Sequence, residues 1–71
     1  MKISARNVLK GKVVNVVAGA VNAEVTLVLP GGQKIVSVVT VGALEELKIK
    51  KGRSVYAVIK ASNVLLGIDH K

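Results

Sequence analysis

Val21-Asn22-Ala23-Glu24-Val25-Thr26-Leu27-Val28-Leu29, closed by Pro30-Gly31-Gly32 and answered by Lys34 to Thr40, decides the fold. Ala23, Val25, Leu27 and Leu29 recur at every second position, with Asn22, Glu24, Thr26 and Val28 between them. Successive side chains of a strand point to opposite faces, so this alternation is a strand with one face toward a core. Pro-Gly-Gly is a turn signal, and a return strand over Lys34 to Thr40 completes a hairpin.

Upstream, Ile3 to Val17 is a long Val-rich extended stretch interrupted by Gly11, and Ala18-Gly19-Ala20 is a small-residue turn. A Gly inside a strand pattern predicts a bulge or a sharp bend, the device by which one strand turns a barrel corner. Downstream, Thr40 is a candidate N-cap, Glu45 and Glu46 follow early, and Leu44 and Leu47 are spaced i, i+3. That pattern predicts one or two turns of helix over Val41 to Leu47, ended by the Lys50-Lys51-Gly52 turn. Ser54 to Ala61 and Asn63 to Ile68 read as two further strands, and Asp69 to Lys71 as a frayed end. Strand, strand, strand, short helix, strand, strand is an all-β order. It is that of an OB-like five-stranded antiparallel barrel with one short helix between strands 3 and 4. The expected organisation is a single domain over residues 1–71, with its core over about 3–68.

Composition bears on what such a barrel needs. Seventy-one residues without Cys leave neither disulfides nor thiolate metal sites to reinforce a small core, and the single His70 lies in a polar stretch. Apolar residues make up 51% of the chain although Phe and Trp are absent and Tyr56 is the only aromatic. The strands Lys34 to Val39 and Val55 to Ile59 are apolar on both faces, more surface than one small barrel hides. A homo-oligomer is therefore expected. No apolar run approaches the ~20 residues of a membrane span. Met1-Lys2-Ile3-Ser4 leads straight into the patterned region, so no signal peptide is expected, and a Cys-free chain fits the cytoplasm.

The formal charge of +7 favours anionic partners. Lys48, Lys50, Lys51 and Arg53 cluster at a turn and read as a solvated surface. Ser4 with Arg6, and Lys60 with Ser62, are more specific. Each pairs a cation with a hydroxyl two residues away in or beside a strand, where i and i+2 share a face. The two pairs offer donors without a carboxylate, which suits an anion, although such pairs also occur as ordinary exposed polar residues. A tetrahedral dianion takes several hydrogen bonds from fixed donors, each worth about 1.5–3 kcal/mol when charge-assisted. Gly19 and Asn22 at a small-residue turn, together with Thr40 at a helix start, are further candidate anion contacts. A plain turn and a plain cap remain the alternatives.

No enzyme is expected. The four acids Glu24, Glu45, Glu46 and Asp69 are scattered, and Pro30-Gly31-Gly32-Gln33-Lys34 lacks phosphate-loop spacing. A basic OB barrel with pI near 10.2 raises a nucleic-acid-binding module as the alternative. Such barrels stack bases on aromatic rings, and here only Tyr56 is offered.

The whole pattern resembles the molbindins, the stand-alone members of the molybdenum-binding (Mop, or TOBE-type) domain family. The resemblance is carried by Ile3-Ser4-Ala5-Arg6-Asn7 with Leu9-Lys10-Gly11, by Gly19-Ala20-Val21-Asn22-Ala23-Glu24-Val25, by Ile35, Thr40 and Glu45-Glu46-Leu47, and by Val58-Ile59-Lys60-Ala61-Ser62. It implies a cytoplasmic store for molybdate or tungstate, with no organic cofactor. It also implies a hexamer, a trimer of dimers, with oxyanions held at subunit interfaces. By the same resemblance, Ser4 and Arg6 would meet Lys60, Ala61 and Ser62 in one pocket, with Thr40 contributing across an interface. Gly19, Ala20, Val21 and Asn22 would lie near further interface sites. Where the family often has Ser three residues after the Thr, this chain has Ala43, which leaves a backbone N–H as the donor there.

Overall fold

A computed structural model describes residues 1–70. The central hairpin forms as its alternation requires: β2 (Asn22–Val28) and β3 (Lys34–Thr40) pair antiparallel from Asn22↔Thr40 to Val28↔Lys34. Gly32 at φ +90° supplies the left-handed turn residue, and Leu29 N–H donates to the Gln33 carbonyl at 2.7 Å. β1 (Asn7–Ala18) and β4 (Ser54–Ile59) complete a four-stranded sheet in the order β3-β2-β1-β4.

Besides Gly11, the buried residues are Val13, Ala23, Val25 and Leu27, three of these on the predicted inner face of β2. Val16, Val39, Leu44, Ile49, Val55 and Ala57 pack around this cluster half-buried. Residues of β3 and β4, the two sheet edges, thus converge on one core, and the sheet is curled. The outer faces stay apolar as the composition implied: Val36 and Val38 on β3 are 58% and 65% exposed.

Helix α1 (Val41–Glu46) sits between β3 and β4, capped by Thr40, whose Oγ1 accepts from Ala43 N–H at 3.0 Å. It ends earlier than its Leu spacing suggested. Leu47 is the C-cap and 60% exposed, while Lys48 takes a left-handed φ of 53°. Lys48 N–H donates to the Glu45 carbonyl and Ile49 N–H to the Leu44 carbonyl, a Schellman closure in which Leu44 and Ile49 both reach the core. Only Leu44 of the predicted Leu pair faces inward.

Three expectations are corrected. The expected fifth strand over Asn63 to Ile68 is not in the sheet. Lys60 caps a single 3-10 turn, η1 (Ala61–Asn63), and residues 64–70 are exposed without regular structure. The strand signal there came from Val64, Leu65, Leu66 and Ile68, but a strand exists only where a partner accepts its backbone. Secondly, the first strand starts at Asn7 rather than Ile3, after bends at Ser4 and Arg6. Thirdly, the irregularity in β1 falls between Val13 and Asn15, not at Gly11. Gly11 instead permits a close approach: a Cβ there would lie 3.0 Å from the Val28 carbonyl oxygen and 3.3 Å from Leu27 Cβ. Asp69 and His70 lack regular structure, and Lys71 of the expected frayed end lies outside the described residues. Among those residues no helix is long and apolar enough to cross a membrane.

Candidate functional site

The antiparallel register decides which polar residues can meet. Asn7 lies opposite Ile59, so the segment entering β1 and the segment leaving β4 share one end of the sheet. The Asn7 side-chain amide fastens them, donating from Nδ2 to the Ile59 carbonyl at 3.3 Å. There a concavity of about 550 Å³ is lined by Ser4, Arg6, Lys60, Ala61 and Ser62 together with the apolar Ile3, Ala5 and Val58. Both donor pairs open onto this one surface, and none of the lining residues is a carboxylate.

They meet for a different reason than strand pleating. Ser4 and Arg6 precede β1 at bends, while Lys60 and Ser62 straddle the start of the 3-10 turn. Two irregular segments, held side by side by the β1–β4 ladder, form the lips. Sequence spacing missed Ile3, Ala5 and Val58 as lining residues. Val58 was accessible to that reasoning, since it lies two residues before Lys60 on the outer face of β4, where it is 42% exposed.

The second group lies elsewhere. Ala18 pairs with Ala23, and Asn22 with Thr40, so the Gly19–Asn22 turn and the helix start occupy the far end of β1. Eleven residue steps at ~3.3 Å each give β1 a contour of about 35 Å, and the concavity at its near end is lined by residues 3–6, 58 and 60–62. Within one chain Thr40, Gly19, Ala20, Val21 and Asn22 therefore do not reach the concavity. Several of their donors are also engaged. Gly19 N–H closes its turn onto the Asn22 carbonyl at 2.8 Å, and Val41 N–H donates to the Val21 carbonyl at 2.8 Å. The Ala43 N–H belongs to the Thr40 cap. With one and a half turns, α1 adds little dipole to this end.

Burial bears on the concavity as well. Ser4, Arg6, Lys60, Ala61 and Ser62 are all exposed. One chain supplies donors there but does not exclude water from whatever they hold.

Tyr56, the only aromatic, stands on the outer face of β4 opposite Lys10 of β1. The Lys10 ammonium lies 5.9 Å from its ring centroid, so that ring already has a cation beside it.

A curled antiparallel sheet with one short helix, and a donor-lined concavity where its first and last strands meet, defines a small OB-like β domain. The sequence profile of the TOBE domain matches residues 3–66, and the chain belongs to the TOBE domain family. It is 48% identical over 69 residues to a probable molybdenum-pterin-binding protein of Haemophilus influenzae, covering 97% of this chain and 100% of that one. Among solved structures it is similar to MopII from Clostridium pasteurianum, with 46% identity, TM-score 0.90, and coverage of 94% of this chain and 100% of the other. It is also similar to the cytoplasmic molybdate-binding protein ModG, in a form with molybdate bound, at 56% identity and TM-score 0.93. That match covers 97% of this chain and 49% of ModG, whose chain is about twice as long.

Proposed function

We propose that this protein binds molybdate, as an intracellular binding and storage protein rather than an enzyme, and that tungstate is accepted in the same pocket. The observation that carries the reading is the convergence of Ser4, Arg6, Lys60 and Ser62 on one carboxylate-free surface, in a chain that matches molybdenum-pterin-binding and molybdate-binding relatives over nearly its whole length. Hydroxyl, guanidinium and ammonium donors suit the four oxygens of a tetrahedral dianion. The oxyanion itself is the proposed ligand, without an organic cofactor, since no aromatic ring lines the concavity to stack a fused heterocycle.

The proposed protein is a homo-oligomer, a hexamer arranged as a trimer of dimers, with the anion at subunit interfaces. Two features support interface binding: the donors are exposed in one chain, and the Thr40 and Gly19–Asn22 end does not line their concavity within it. A second copy would exclude water and bring Thr40 to the Ser4, Arg6, Lys60, Ala61, Ser62 cluster, with Ala20, Val21, Asn22 and Ala43 near further sites. The cytoplasm is the proposed compartment, as for ModG.

The alternative, a nucleic-acid module, has the charge of +7 in its favour but only the Lys10-flanked Tyr56 for stacking. Calorimetric titration with molybdate, tungstate, sulfate and a single-stranded oligonucleotide separates the two. Saturable molybdate binding that excess sulfate displaces poorly is the expected result. Tight oligonucleotide binding with no response to either oxyanion would overturn the proposal.

A further inference from the structure

The outer face of the sheet carries a basic row outside the donor concavity. Lys10 and Lys12 of β1 are exposed whereas Gly11 and Val13 are buried, so both ammonium groups stand on the outer side. Positions two apart on a strand are about 7 Å apart. Cross-strand pairing continues the row over all four strands: Ser54 of β4 faces Lys12, Lys12 faces Val28 of β2, and Val28 faces Lys34 of β3. With neighbouring strands ~4.8 Å apart, the backbone of Lys34 lies about 10 Å from that of Lys12. Tyr56, 53% exposed, faces Lys10 beside this row. The carboxylates are elsewhere. Glu24 pairs with Val17 and Val38 in the far half of the sheet, Glu45 and Glu46 are on α1, and Asp69 follows the 3-10 turn.

The row borders a recess. A second concavity, of about 270 Å³, is lined by Lys10, Lys12 and Ser54 together with Val28, Leu29 and Pro30. It lies where β2 parts from β1. Lys12↔Val28 is the end of their ladder, the chain turns away through Pro30, and β1 runs on toward Asn7 beside β4 alone. The lining is thus cationic on the β1 side and aliphatic on the β2 side.

That mixture discriminates between the two macromolecules a basic face attracts. A polynucleotide draws on charge and on rings for stacking, and it has no use for a wall of Val28, Leu29 and Pro30. An acidic polypeptide uses every part: carboxylates against Lys10, Lys12 and Lys34, an aliphatic side chain in the recess, and Tyr56 as an exposed aromatic contact. We infer that this face docks an acidic segment of another protein, in which carboxylates flank an aliphatic side chain that enters the recess. Tyr56 and Val58 share the outer face of β4, and Val58 lines the donor concavity, so the docked partner lies beside the mouth of that concavity. The inference stands on the charge and shape of this face and holds whatever the concavity binds.

The test titrates the full chain into a short fluorescein-labelled peptide of Glu and Leu, followed by anisotropy at low and high salt. A Glu-Gly peptide and a single-stranded oligonucleotide, both of the same charge, run beside it. Saturable binding of the Glu-Leu peptide that weakens as salt rises is expected. Lys10→Glu/Lys12→Glu should weaken it by about tenfold or more, because like charges then face each other. Lys10→Gln/Lys12→Gln should shift it in the same direction by less, and it decides the matter should the reversed variant lose its far-ultraviolet circular dichroism. Lys2→Glu/Lys48→Glu makes the same change in net charge outside the row and should leave the affinity within about twofold. Equal losses in the two reversed variants would overturn the inference, since attraction to net charge alone produces them. Equal affinity for the Glu-Gly peptide would overturn it by removing the recess from recognition. Tighter binding of the oligonucleotide, lost in the Lys10/Lys12 variants, would reassign the face to nucleic acid, and no binding of the Glu-Leu peptide by the unsubstituted chain would leave the face without its partner.

Discussion

Replacing Gly11 by Ala tests whether the close approach of β1 to the end of β2 is what this position requires. Gly11 is buried, and its φ lies outside the left-handed range, so its backbone conformation is open to Ala. The added methyl would meet the Val28 carbonyl oxygen at 3.0 Å, Leu27 Cβ at 3.3 Å and Leu29 Cδ2 at 3.3 Å. Only Leu29 can turn aside. Val28 is held in the β2–β3 ladder, and Leu27 is a core residue 3% exposed. Overpacking of this kind costs about 1–3 kcal/mol. The loss of unfolded-state freedom returns about 0.4–1 kcal/mol. From the middle of each range the net destabilisation is about 1.3 kcal/mol, which for a domain of this size lowers Tm by about 5–10 °C. Thermal unfolding followed by far-ultraviolet circular dichroism reads it, at one fixed protomer concentration because self-association shifts Tm by mass action. Gly11→Val should cost more than Gly11→Ala. An Ala variant with an unchanged or raised Tm would refute the steric reasoning.

Arg6→Ala and Lys60→Ala should each weaken molybdate binding by about 1.5–3 kcal/mol, roughly one to two decades in Kd, whereas Lys51→Ala, at the turn before β4, should leave it unchanged. Equal titration isotherms for all three would place the pocket elsewhere. Arg6→Lys should recover only part of the affinity, since an ammonium lacks the planar fork of a guanidinium. Thr40→Ala should lose the helix cap at about 0.5–2 kcal/mol, visible as a lower midpoint in urea, while Thr40→Ser should keep it. A Ser variant as unstable as the Ala variant would mean that the hydrogen bond to Ala43 is not what stabilises the helix start.

What was legible in the sequence was whatever a local pattern determines. The β2–β3 hairpin follows from strict alternation plus Pro30-Gly31-Gly32, and β3 runs over the residues expected of it. Thr40 caps the helix because its hydroxyl needs only an N–H three residues on. The donor cluster was found by residue type, but its geometry was not: bends at Ser4 and Arg6 and a 3-10 turn after Lys60 bring it together, and spacing of two could not show that. The fifth strand was misplaced because hydrophobicity reports that a segment seeks a partner without saying where the partner is. Thr40 was expected to contribute across an interface and the Gly19–Asn22 turn to lie near further sites, and the register along β1 sets both at the end of that strand opposite the pocket.

β1 has one more property that its length conceals. Its first half, Asn7 to Lys12, is laddered to β4, and its second half, Lys12 to Ala18, to β2. The two ladders overlap only at Lys12, next to Val13, which is 1% exposed and exchanges bonds with Arg53 and Gly52. The domain is in this sense two ribbons sharing a single splice. By hydrogen bonding, the residues before Lys12 belong to the ribbon that carries the donor concavity and those after it to the ribbon that carries the hairpin and helix, while Val55 and Ala57 of the first and Val25 and Leu27 of the second meet in the common core. Lys12 and Val13 are the backbone joint between the two ribbons, and the core packed around Val13 is their joint in side chains.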